Sequence, residues 1–197
     1  AAAGAGAIQL CGNVAMTLQS STLSQNSSAA TSGALHYSDG FGASSVVLEL
    51  DFVTAAENTG GPVILSSGPY AWTLKKTVFA ANTAGDCSVS GANPDCTAIN
   101  PTATDDYYVE EHVLVSADLS VFSSAGYQLF GGLVGGYLPD VSSPLLDVST
   151  TGCEGADQRN LSREDVAACD IGALERLQVA VVDDEGENAS GDDRIAY

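Results

Sequence analysis

The chain has 197 residues, 45% of them hydrophobic, with 25 acidic side chains against 6 basic ones and a formal net charge of −19. That length allows one substantial core. The charge excludes a nucleic-acid surface built on Lys and Arg, and it disfavours anionic membranes for the same reason. Cations, Ca2+ above all, and water are the partners such a surface suits.

The opening residues Ala1 to Gly6 form a small-residue leader, and the lack of an initial Met suggests signal-peptide cleavage and secretion. No apolar run approaches the roughly 18 residues of a membrane span, so no membrane insertion of the mature chain is expected. Over residues 7–19, Ile8, Leu10, Val14, Met16 and Leu18 occupy even positions, while Gln9, Cys11, Asn13, Ala15, Thr17 and Gln19 occupy odd ones. A period of two over this length predicts a strand with one buried face. No Asp, Glu, Lys or Arg precedes Asp39. Such a strand can be the first of its own sheet or can be handed to a neighbouring subunit.

Residues 20–33 are rich in Ser, Thr and Asn and read as a loop or a polar edge. Further strands are expected at 44–53, 63–65, 70–79 (with Trp72 in the core), 107–115, 119–122, 127–130 and 174–182. The glycines of Gly131-Gly132-Leu133-Val134-Gly135-Gly136 lack the Lys-Ser/Thr ending of a phosphate loop and read as bulges or close backbone approaches. Ser162-Arg163-Glu164-Asp165 before Val166-Ala167-Ala168-Cys169 carries a capping signature and predicts one short helix. No internal repeat is evident. Short strands, Gly/Pro/Asn turns and the absence of a βαβ rhythm predict an all-β fold: a single β-sandwich or jelly roll over 20–197, with 1–19 as a donor-type strand.

The cysteines are too scattered for a zinc site. Cys87 and Cys96 bracket a Gly/Asn/Pro turn, and Cys153 and Cys169 bracket the expected helix. These local pairs are the preferred disulfides and imply an oxidising compartment, with Cys11 left over. Asn26, Asn160 and Asn188 each begin an Asn-x-Ser triplet and are candidate glycosylation sites. Asp183, Asp184, Glu185 and Glu187 surround a glycine in an acidic tail and are the candidate metal ligands, for Ca2+, although a solvated acidic turn is the favoured explanation.

Catalytic machinery is hard to assemble. His36-Tyr37-Ser38-Asp39 holds suitable residue types, but a triad is a matter of geometry. Glu110 and Glu111 lie on opposite faces of one strand, which defeats a paired-carboxylate mechanism. The expectation is that the chain is not an enzyme and requires no cofactor.

A detachable N-terminal strand on an all-β body resembles donor-strand-exchanging extracellular filament subunits of the TasA-like and archaeal bundling-pilus kinds. The resemblance covers the architecture and the strand at 7–19. It implies a secreted, cell-surface structural subunit whose partner is itself, a homopolymer with Ile8, Leu10, Val14, Met16 and Leu18 at the subunit interface. The alternatives are an extracellular glycan- or surface-binding β-sandwich, Ca2+-dependent or not, and a viral capsid or decoration jelly roll.

Overall fold

A computed structural model describes residues 5–29, 32–38, 46–66, 70–85, 87–89, 106–111, 113–130, 134–163 and 168–176. The chain is all-β, and the main strands pair in parallel, each with the strand that follows one turn of chain later. β1 (Ile8–Cys11), β3 (Leu35–Ser38), β5 (Ile64–Ser66) and β8 (Cys87–Val89) stack in that order. β2 (Val14–Ser24) lies on β4 (Val46–Ala56). β4 in turn lies on β6 (Tyr70–Lys75) and β7 (Val78–Ala80), which lie on β9 (Asp106–Glu111) and β10 (Leu114–Ser116). The chain therefore winds as a coil of four rungs.

The expected sandwich or jelly roll is corrected here, since both need antiparallel hairpins and these rungs stack in parallel. β2 runs unbroken through residue 19 to Ser24. The strand over 8–24 is held by its own chain, with Ile8 to Cys11 on Leu35 to Ser38 and Val14 to Ser24 on Val46 to Ala56. It is the first rung of the coil.

Side-chain period two fills the coil. Met16, Leu48 and Trp72 share one inward column, and Leu18, Leu50 and Leu74 share the next. Leu48, Leu50, Trp72, Leu74 and Phe79 form its dry interior with Val53 and Ile64. Two corners turn each of the first three rungs. One uses residues of positive φ at Ser20, Phe52 and Lys76, the other at Gln25, Glu57 and Ala81. Non-glycine residues rarely adopt this conformation, so its recurrence at matching places marks a repeated corner.

The second corner is followed each time by an asparagine. The Asn26 backbone N–H and Nδ2 donate to Asn58 Oδ1 at 3.1 and 3.0 Å, and the Asn58 N–H and Nδ2 donate to Asn82 Oδ1 at 3.0 Å each. This ladder exposes an internal repeat that the sequence hides. Leu23-Ser24-Gln25-Asn26, Ala55-Ala56-Glu57-Asn58 and Phe79-Ala80-Ala81-Asn82 are the same corner in successive rungs.

The C-terminal part forms a second layer. β11 (Phe122–Phe130) and β12 (Val134–Pro139) make an antiparallel pair. With residues 140–163 and 168–176 they cover the outer side of the Thr54–Ala56 and Val78–Ala80 strands. Ala56, Val78 and Ala80 pack there against Val121, Phe122, Tyr137, Leu145 and Ile171. Gly172 N–H donates to Lys76 O at 2.8 Å, and Ala173 N–H to Thr54 Oγ1 at 2.9 Å. The glycines of β12 do serve close approach: a Cβ on Gly135 would meet Tyr127 Oη at 1.8 Å. No helix occurs among the described residues. Ser162 and Cys169, the ends of the expected one, form isolated β-bridges with Ala156 and Ser149, and residues 164–167 lie outside the described set.

Candidate functional site

Two places collect chemistry: the first rung, and a buried polar cluster beneath the second layer. In the first rung Ile8, Leu10, Val14, Met16 and Leu18 are half-buried and their odd-numbered neighbours exposed. One rung further on, the same columns are closed: Leu35 and Leu48 are 2% exposed and Leu50 is 0%. The cause is the missing neighbour on one side, because β1 and β2 pair only with β3 and β4 among the described residues. Their outer backbone edge carries none of the lysines or prolines that blunt edges in many sheets.

The buried cluster sits where residues 157–163 and 168–176 cross the first corner. Arg163, fully buried, donates from Nη1 to Glu175 Oε2 at 2.6 Å and from Nη2 to Gly172 O at 2.9 Å, and its guanidinium lies 4.1 Å from the Phe52 ring centroid. Lys76 covers Phe52 as well, at 5.0 Å. Asp157 accepts from Arg159 Nε at 2.8 Å and from Glu175 N–H at 3.1 Å. Asp170 accepts from Arg176 N–H at 2.7 Å and from Asp147 N–H at 2.9 Å.

Burial, followed by the Asp170 carboxylate, pushes Glu175 up to about 7, and burial likewise lowers Arg163. Both shifts point towards the neutral forms, as expected where desolvation outweighs the mutual attraction of an ion pair. A carboxyl near 7 has the acidity of a general acid. Here, though, Glu175 is 1% exposed and tied to Arg163 and to the Asp170 N–H, which leaves no room for a substrate. The cluster clamps the second layer to the coil.

The other expected site residues divide clearly. Cys153 and Cys169 are bonded. Cys87 is disulfide-bonded too, while Cys96 lies outside the described residues. Cys11 is exposed on β1 and outside any disulfide. Asn26 is occupied in the ladder. Its amide is committed to Asn58, which argues against a glycan there in the folded chain. Asn160 is exposed on a tight turn, its N–H on Asp157 O at 2.9 Å. Asp183, Asp184, Glu185, Glu187 and Asn188 lie outside the described residues, as does the 177–182 portion of the expected last strand. Among the described residues no group of three His, Cys, Asp or Glu side chains is placed to hold a metal ion.

His36 and Tyr37 are successive residues of β3 and face opposite sides of the sheet, while Asp39 lies outside the described residues. Burial lowers the His36 pKa, favouring neutral imidazole. Sequence reasoning missed the ladder asparagines, Asn58 above all. The signal was present as an apolar residue three places before each asparagine. No known family model, curated protein or solved structure matches the chain.

Proposed function

We propose that the chain is a structural subunit of a secreted extracellular filament or pilus, a homopolymer joined through its first rung. The observation that carries this reading is the open end of the coil. Among the described residues an uncharged rung has a strand edge with no paired neighbour and a half-covered apolar row, in a chain whose net charge is −19. Solenoids ordinarily cap a terminal repeat with polar groups, because a naked end pairs with whatever strand it meets. Leaving it bare and free of ionised side chains suits an end meant to be covered by another subunit. Covering the row would add on the order of 1 kcal/mol for each half-buried side chain, before ordering costs. The Cys153–Cys169 disulfide fits an oxidising compartment. Donation of the whole strand is replaced in this reading by contact at the rung's edge, since Val14 to Ser24 is already paired over its length.

The test is direct. Full-length, oxidised protein is followed by sedimentation velocity and negative-stain microscopy over a rising concentration series. Filaments or a growing ladder of oligomers are expected. A single monomer peak at every concentration and salt condition would overturn the reading.

A further inference from the structure

We infer that the partner of the first rung is the last rung of a second copy, stacked head to tail so that the asparagine ladder runs from one subunit into the next. This rests on the assembly reading above and adds which faces meet.

The ladder has a direction. The first two asparagines donate through N–H and Nδ2 to the side-chain oxygen of the following rung, Asn26 to Asn58 and Asn58 to Asn82, while Asn82 Nδ2 donates back to Ala55 O at 3.1 Å. Asn26 stands first, so its own Oδ1 is an acceptor with no donor among the described residues. At the other end Ser116 pairs with Ala80, which brings Asp118 to the ladder place after Asn82. The Asp118 carboxylate takes the Ser120 N–H at 2.8 Å. The Asp118 N–H has no acceptor among the described residues. Among the described residues the coil thus presents an acceptor at its first rung and a donor at its last. A second copy placed in the same orientation joins them, Asp118 N–H to Asn26 Oδ1.

Three further features agree with that orientation. All rung-to-rung pairing is parallel, so a head-to-tail neighbour extends the pattern, whereas a two-fold neighbour would set acceptor against acceptor. The inward column Leu23, Ala55, Phe79, Val115 ends on a valine 38% exposed, although Phe79 one rung earlier is 0% exposed. In the stack Leu23 of the next copy closes it. The first rung also contributes no ionised side chain to the contact, which keeps like-charge repulsion low in so acidic a chain. A heterologous contact of this kind does not close on itself and makes filaments.

The experiment uses full-length, oxidised protein and two blocked variants, Met16→Asp at the first rung and Val115→Asp at the last. Each is checked for a native circular-dichroism spectrum and a cooperative melt. Leu18→Lys and Val113→Lys replace any variant that does not fold. Each variant alone should sediment as a monomer. An equimolar mixture should form a 1:1 dimer, because one intact last rung then meets one intact first rung. If either variant dimerises alone, or if the mixture stays monomeric while the wild type polymerises, the head-to-tail contact is wrong and the assembly reading stands. If the wild type stays monomeric, both fall.

Discussion

At the scale of single residues, the fold turns on Asn58. It is fully buried, accepts from the Asn26 N–H and Nδ2, and donates to Leu23 O and Asn82 Oδ1. Removing its amide strands several of these groups away from water, and Asn58→Ala should destabilise the chain by about 3 kcal/mol. Equilibrium urea unfolding checks this, and a loss below about 1 kcal/mol would mean the ladder is ornamental. Glu175 makes a pH prediction. The folded chain binds its proton more tightly than the unfolded chain does, so its contribution to stability is full below the ordinary value of 4.5 and is lost as pH rises through about 7. The melting temperature of the wild type should therefore fall more steeply between ~pH 5 and ~pH 7.5 than that of the paired variant Arg163→Met/Glu175→Leu. That double change should be neutral or stabilising, and Glu175→Gln alone, a neutral isostere of the protonated acid, should flatten the same pH dependence. Neither residue announced itself in the sequence. Their burial comes from where residues 157–163 and 168–176 cross the coil, which no local pattern encodes.

Elements were more legible than their assembly. The even-position row from Ile8 to Leu18, the core place of Trp72 and the glycines of β12 could all be read from period two and from the absence of side chains. Pairing could not be read this way, because an alternating strand looks the same in a hairpin and in a rung. The repeat escaped for a related reason. Only a few residues at each corner are shared, and the connecting segments between rungs differ in length, so no fixed spacing recurs. Rung position should show in truncation costs. Leu50→Ala, in a closed column, should cost about 3 kcal/mol, and Leu18→Ala, in the same column of the open rung, about half of that. Equal losses would mean that the first rung is as covered as the second. Reducing the Cys153–Cys169 disulfide, which spans 16 positions, should remove about 3 kcal/mol and loosen the second layer first. Hydrogen exchange at Ile171 and Leu145 would report that loosening, and unchanged protection there would count against it.

For the whole molecule, the two cores share one wall: the Thr54–Ala56 and Val78–Ala80 strands face the coil interior on one side and the second layer on the other. Residues on both sides of that wall should unfold together, while the first rung, which pairs with β3 and β4 and reaches the second layer through Ser20 Oγ to Ala156 O and Thr22 Oγ1 to Gln158 Oε1, opens at lower cost. Rung-by-rung attachment also has a mechanical consequence. Tension applied at the N-terminus loads the backbone bonds between β2 and β4 one after another, like a zip, instead of shearing them all together. Held singly between optical traps, the molecule should give up its first rung at low force and in small steps. A filament joined through that rung would then yield at its joints under load, and each subunit's inner rungs would survive to rejoin when the load is released.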